Sequence, residues 1–155
     1  MEGIVSKKSF RTAILHFITA GGMILSIAVL LVGIFSGYFF EYTGPTENFE
    51  GLGHGVVAAL SIIAMIISMS SMLIDIPVFI FSGVKLVRQA KGALPSKKSF
   101  IATIVVKSIT FFLIAAPFLF LFSLENGFLA ILVHAVALVF SLTSSLLEAY
   151  VRRKP

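Results

Sequence analysis

The sequence predicts an all-α integral membrane protein, a four-helix bundle built from two tandem and similar helical hairpins. Three observations lead to this prediction: four long apolar stretches, basic residues that flank them on one side, and a repeated motif. Of the 155 residues, 58% are hydrophobic and 12% are charged, against about 25% charged in a typical soluble domain. So short a chain cannot bury that much apolar surface in one aqueous core, which indicates lipid surroundings.

The four apolar stretches have the length of membrane-spanning helices, which need about 20 apolar residues. The first follows a basic cluster, as a signal peptide would, but it is longer than the roughly 7–15 apolar residues of a signal and no A-x-A cleavage pattern closes it. We therefore expect a retained helix and a single transmembrane domain over residues 1–155. The predicted spans are 12–38, 55–82, 101–123 and 128–147.

The distribution of Lys and Arg predicts the orientation of these spans. The connections between spans one and two and between spans three and four contain acidic residues but neither Lys nor Arg. By the positive-inside rule both termini and the middle connection are cytoplasmic, and we expect a multi-pass protein of the plasma (inner) membrane. Only Lys107 lies within a span. The other basic residues are Lys7, Lys8, Arg11, Lys85, Arg88, Lys91, Lys97, Lys98, Arg152, Arg153 and Lys154.

A repeated motif suggests that the two hairpins arose by duplication. Ser-Lys-Lys-Ser-Phe occurs at residues 6–10 and again at 96–100, which sets the repeats at 6–84 and 96–152. Asp75 in the first repeat matches Glu148 in the second. Membrane helices rich in Ser, Leu and Ile also resemble one another without common origin, but the flanking motif and the matched acid favour duplication. Such repeats would be related by an axis along the membrane normal.

The same alignment matches polar residues that lie along one face of each helix. Spacings of 4 and 7 residues place side chains on a common helical face. These faces either line a cytoplasm-facing cavity or pathway, or supply the ordinary hydrogen bonds between membrane helices, and the second interpretation is favoured. The polar faces comprise Thr12, His16 and Thr19, matched to Thr103, Lys107 and Thr110, and Ser71, Ser68 and Ser61, matched to Ser144, Ser141 and His134.

Five intramembrane ionisable residues are candidate functional groups: Asp75, Lys107, His16, Glu148 and His134. Counting residues from the nearest basic cluster places Asp75 and Lys107 at similar depth. An isolated charge at that depth costs at least about 2–3 kcal/mol, so we predict an ion pair between them. In the alternative interpretation, Lys107 extends to the cytoplasmic headgroups and Asp75 caps a helical turn.

Two further features concern packing and cofactors. Gly33 and Gly37 form a small-xxx-small face that packs within the bundle or against another copy. No cofactor and no metal site are expected, with a b-type haem held by His54 and His134 as a weaker alternative, since both histidines are predicted near the outer surface. In the simpler interpretation His134 forms a hydrogen bond with a neighbouring helix.

No catalytic motif, nucleophile–base arrangement or nucleic-acid-binding pattern occurs in the sequence. We therefore expect a protein that is not an enzyme and whose surroundings are the lipid bilayer. The predicted role is that of a non-catalytic accessory or scaffold subunit, or of a small channel- or carrier-like protein, acting as a homo-oligomer or with a membrane partner. The alternative is a membrane redox anchor that binds haem or quinone through histidine.

Overall fold

The computed structural model describes four stretches of the chain, and each of them is almost entirely helical. The helices extend beyond the predicted spans on the side of the basic residues, since Lys and Arg are good helix formers and allow the apolar helices to continue. The described residues are 2–36, 49–93, 97–115 and 128–153. The helices are α1 (Glu2–Phe35), α2 (Phe49–Ala90), α3 (Lys97–Ala115) and α4 (Phe128–Arg153).

Three of the four helices are long and apolar enough to cross a membrane. The qualifying segments are Lys7–Phe35 in α1, Gly55–Ala90 in α2 and Ile131–Val151 in α4. The apolar part of α3, Phe100–Ala115, is shorter than a span. The rest of the predicted third span, residues 116–123, lies outside the described residues.

Each helix packs most extensively against two neighbours. α1 packs against α2 and α4, and α3 packs against α2 and, less extensively, against α4. Residues later in α1 contact residues earlier in α4, since Thr19 contacts Ser144 whereas Ser26 contacts His134. The two helices are therefore antiparallel, and the four helices surround a shared interior.

Burial is inverted relative to a soluble protein. Among the described residues, those buried with polar or charged side chains outnumber those buried with apolar ones. Large apolar side chains cover the outside instead, as in Val32 (68% exposed), Phe112 (74%) and Val139 (63%). An apolar exterior around a polar interior suits a helical protein whose solvent is lipid.

Apolar side chains also form a layer toward each end of the interior. We call the end that carries Lys7, Arg11 and Arg88 the basic end. Near it lies a basic-end layer, formed by Ala13, Leu86 and Val151. Toward the opposite end lies a far-end layer, in which Leu30 and Met65 are buried against Ile34, Met69 and Ile131. Seventeen residues separate Ala13 from Leu30, about 25 Å along α1. Between the two layers lie most of the buried polar side chains and a central apolar cluster, formed by Ala20, Met23, Met72, Phe79, Ile114 and Leu138.

Candidate functional site

A charged cluster occupies the interior just inside the basic-end layer. The ammonium Nζ of Lys107 on α3 donates to Oε2 of Glu148 on α4 at 2.7 Å. Nε2 of His16 on α1 lies 3.0 Å from the same oxygen and 3.0 Å from the ammonium. All three side chains are almost completely buried. The ion pair therefore joins three helices away from solvent.

The geometry of His16 suits two protonation states. Nδ1 lies 2.8 Å from the backbone oxygen of Thr12, and because a carbonyl only accepts, Nδ1 is the donor there. In the neutral ring Nε2 then accepts from Lys107. In the protonated ring Nε2 donates to Glu148 instead. A single proton thus decides which of the two neighbours His16 binds.

The predicted ion pair between Asp75 and Lys107 is replaced by the pair between Lys107 and Glu148. Lys107 does not extend to the headgroups either, since it is 2% exposed. Counting residues from a basic cluster gives a position along one helix but not the relative height of two helices, so it did not identify the partner of Lys107. Glu148 lies only four residues before Arg152, yet it reaches Lys107.

Asp75 is buried beside this cluster without a hydrogen bond. It is 0% exposed, and neither carboxylate oxygen has a hydrogen-bond partner among the described residues. Thr110 faces it from α3, and the charge of Lys107 acts on it. The single proton of the Thr110 hydroxyl, however, is directed to the backbone oxygen of Val106 at 2.9 Å. Asp75 is therefore an unpaired carboxyl group next to a paired one.

Phe79 packs against the charged cluster from the side of α2. It follows Asp75 by four residues and so shares its helical face. The Phe79 ring centroid lies 4.2 Å from the Lys107 ammonium and 5.3 Å from the His16 ring. A cation over an aromatic face is attracted to it, so Phe79 supports Lys107 opposite Glu148.

A second polar cluster, centred on His134, lies nearer the far-end layer. Nε2 of His134 donates to the backbone oxygen of Ile114 at 2.6 Å and lies 3.1 Å from the Ser68 hydroxyl. Nδ1 accepts from the Ser26 hydroxyl at 2.9 Å. His134 thus joins α4 to the other three helices. Both ring nitrogens are engaged, and the side chain of His54, its predicted haem partner, lies outside the described residues.

The polar faces predicted from the sequence point into this interior, with Thr103 the one half-buried member. Several hydroxyls donate to their own helix, as Ser61 does to Val57 and Ser71 to Ile67. Others bridge helices, as Thr19 does to Ser144 at 3.0 Å. Gly33 is also buried, whereas Gly37 lies outside the described residues.

The sequence analysis missed Ser26, Phe79 and Ser82, although spacing alone signals two of them. Ser26 follows Thr12 by 14 residues, the same interval by which His134 precedes Glu148. Ser82 follows Asp75 by seven residues and is fully buried. Continuing the polar face of α1 by seven residues beyond Thr19, and that of α2 by seven residues beyond Asp75, would have found both. Phe79 is one of many aromatic residues and carries no distinguishing signal.

A groove opens sideways between α3 and α4, the helix pair with the less extensive contact. Its volume is about 400 Å³. The Lys107 stem and three serines form its polar part, and the remaining lining is apolar. The lining residues are Ile104, Lys107, Ser108, Phe111, Phe112, Ser141, Leu142, Ser145, Leu146 and Ala149.

Comparisons with known proteins identify no relative. No protein-family model matches the chain, and no curated protein and no solved structure is significantly similar to it. Within the described ranges, no group of three or more His, Asp or Glu side chains is arranged to hold a metal ion. The function of the protein must therefore be inferred from the charged cluster and from the cluster centred on His134.

Replacing His134 with Leu is expected to lower the free energy of unfolding by about 2–3 kcal/mol. The variant removes an imidazole that joins all four helices and leaves the buried Ser26 hydroxyl without its partner, and each such loss costs about 1–3 kcal/mol. Thermal unfolding in mild detergent measures the change. Thr143→Val is the matched control, because Thr143 is exposed and bonds only to its own helix. Equal stability of both variants would contradict the prediction.

Proposed function

We propose that the chain is a four-span membrane bundle of two similar hairpins, with both termini cytoplasmic, that acts in an oligomer as a small carrier-like protein for protons. One observation carries this proposal. His16, Asp75, Lys107 and Glu148, one from each helix, meet in a buried interior. Acid, base and imidazole side chains so arranged are what proton relays in membranes require.

The cost of this cluster favours a functional role over helix packing alone. Placing one charged residue in a membrane helix costs about 2.5–3.5 kcal/mol on insertion scales. Hydrogen bonds between membrane helices contribute about 0.6 kcal/mol each on average, and bonds such as Thr19 to Ser144 already provide them. Four ionisable groups in one place exceed what holding the helices together demands.

The two apolar layers favour a carrier over an open pore. The basic-end layer and the far-end layer place apolar side chains toward both ends of the described helices, as an occluded state of a carrier requires. Protons would cross if the layers opened in turn. The proposed repeat suits such alternation, because carriers are often built from two related halves that move about a site between them.

Proton flux in liposomes tests the proposal. The purified protein is reconstituted around a pH-sensitive dye, a pH gradient is imposed, and a potassium ionophore compensates the charge. We expect dissipation above that of empty liposomes and at least a tenfold decrease with Asp75→Asn. Glu50→Gln, at the start of α2, is the control for loss of an acid. No flux above empty liposomes, or equal flux in Asp75→Asn, would overturn the proposal.

The groove between α3 and α4 supports a second candidate function, that of an accessory subunit. In this case a helix of a partner membrane protein fills the groove against Ser141 and Ser145, since small residues allow close helix approach. A partner that co-purifies in gentle detergent at native abundance, is lost with Ser141→Trp, and is accompanied by no proton flux would favour this function. A visible absorption band in the same preparation would instead favour the redox anchor.

A further inference from the structure

We infer that Asp75 is the carboxyl group that binds the transported proton, that His16 receives this proton, and that Lys107 exchanges Glu148 for Asp75 in the process. The inference rests on the proposed function and names the groups that perform it. Its starting point is Asp75, a fully buried carboxyl group to which no described residue donates a hydrogen bond. Such a group is far less costly when it carries a proton than when it is ionised.

Charge balance defines the first arrangement, which is the one in the structure. The ammonium of Lys107 neutralises Glu148 at 2.7 Å. Neutral His16 accepts from the same ammonium through Nε2 at 3.0 Å. Asp75 then completes a neutral interior only as the protonated acid. Thr110 and Lys107 act on Asp75 from α3, and the other titratable groups of the described interior are His16 on α1 and Glu148 and His134 on α4.

Moving one proton from Asp75 to His16 gives a second arrangement that is also neutral. The O–H bond of Asp75 breaks, and an N–H bond forms at Nε2 of His16. Protonated His16 then donates to Glu148, across the 3.0 Å contact already present. Lys107 is released from Glu148 and pairs with the Asp75 carboxylate. Two ion pairs replace one pair and two neutral groups, and no net charge is left in the interior.

The fold allows Lys107 to reach either carboxyl group. In the proposed repeat, Asp75 and Glu148 occupy matching positions on α2 and α4, and Lys107 lies between them on α3. Asp75 has one methylene fewer than Glu148, so its carboxyl group stops short of the ammonium until Lys107 moves. Pro77 follows two residues later and removes the backbone hydrogen bond to Leu73, which makes α2 easier to adjust beside Asp75.

The exchange carries the proton toward the basic end. His16 precedes Ala20 and Met23 of the central apolar cluster along α1, whereas Asp75 lies opposite Thr110, one turn farther from that end than Lys107. Beyond His16, the buried hydroxyls of Ser82 and Ser9 have no hydrogen-bond partner among the described residues. These hydroxyls lie on either side of the basic-end layer and would provide polar groups between His16 and the basic end when that layer opens.

Infrared spectroscopy of the purified protein tests whether Asp75 holds the proton. A protonated carboxyl group gives a carbonyl stretching band that is separate from those of amides and carboxylates and shifts in deuterium oxide. We expect this band in the unmodified protein and in Glu50→Gln, and its loss in Asp75→Asn. Absence of the band from the unmodified protein, or its persistence in Asp75→Asn, would overturn the inference.

His16→Gln tests the receiving group, because Gln keeps hydrogen bonding but cannot take up the proton. We expect at least a tenfold lower proton flux together with an unchanged carboxyl band, and unchanged flux would overturn the role of His16. The two proposals fail separately. A band that Asp75→Asn removes, without flux in any sample, would reject proton transport but retain the protonated Asp75. Proton flux together with a carboxyl band that persists in Asp75→Asn would retain proton transport but reject the protonated Asp75.

Discussion

Replacing Lys107 with Met is expected to lower the free energy of unfolding by about 3–5 kcal/mol. Met has a similar length and fills the same space, so the loss is mainly one of charge. Glu148 would stay 0% exposed without the ammonium that neutralises it, and breaking a buried ion pair costs about this much because one charge is left uncompensated. Thermal or denaturant unfolding in mild detergent measures the effect.

Two variants separate this effect from a general loss of lysine. Lys91→Met removes an exposed charge beyond the end of α2, and we expect a change within about 0.5 kcal/mol. Adding Glu148→Gln to Lys107→Met removes the uncompensated charge and should restore most of the stability. If Lys107→Met unfolds like the unmodified protein, the ion pair does not hold α3 to α4.

The helical class followed from the sequence because apolar runs of membrane length have few structural alternatives. Spans 12–38 and 55–82 fall largely within α1 and α2. Their ends were less predictable. Hydropathy marks where lipid ends, whereas a helix ends where its backbone hydrogen bonds end, and the basic segments after residue 82 and before residue 12 continue the helices.

The inward-facing polar side chains could also be anticipated, because spacings of 4 and 7 residues fix a helical face without any knowledge of packing. Thr12, His16 and Thr19 share such a face, and all three are buried. Which partners they find depends on the relative height and rotation of the helices, and sequence spacing within one helix contains neither. The pairing of Lys107 with Glu148 instead of Asp75 could not be predicted, because the sequence does not give the relative height of α2, α3 and α4.

In the proposed repeat, the matched positions of Asp75 and Glu148 would explain why two acids accompany one lysine. If the hairpins are related by a two-fold axis, each acid faces the pair of basic groups, His16 and Lys107, from an opposite side. A Glu on one side and a shorter Asp on the other makes the two sides unequal. One acid is then paired and the other is available, and this inequality gives the cluster two arrangements instead of one.

Combining Glu148→Gln with Asp75→Asn is expected to destabilise the protein by more than the two single changes together, with a coupling of about 2–3 kcal/mol. Glu148→Gln alone leaves Lys107 able to turn to Asp75, so its cost should be lower than that of Lys107→Met. Asp75→Asn alone removes a carboxyl group that has no hydrogen bond and should be nearly neutral. Only the double variant leaves the buried ammonium without any carboxylate.

Unfolding of the unmodified protein, the two single variants and the double variant in the same detergent measures this coupling. Glu148→Gln combined with Glu50→Gln is the matched control, and it should be additive because Glu50 stands at the start of α2, far from the cluster. The Lys107 ammonium lies 4.2 Å from the ring centroid of Phe79, which shares a helical face with Asp75. Strict additivity of Glu148→Gln and Asp75→Asn would mean that Lys107 cannot reach Asp75, and the exchange of partners would then be impossible.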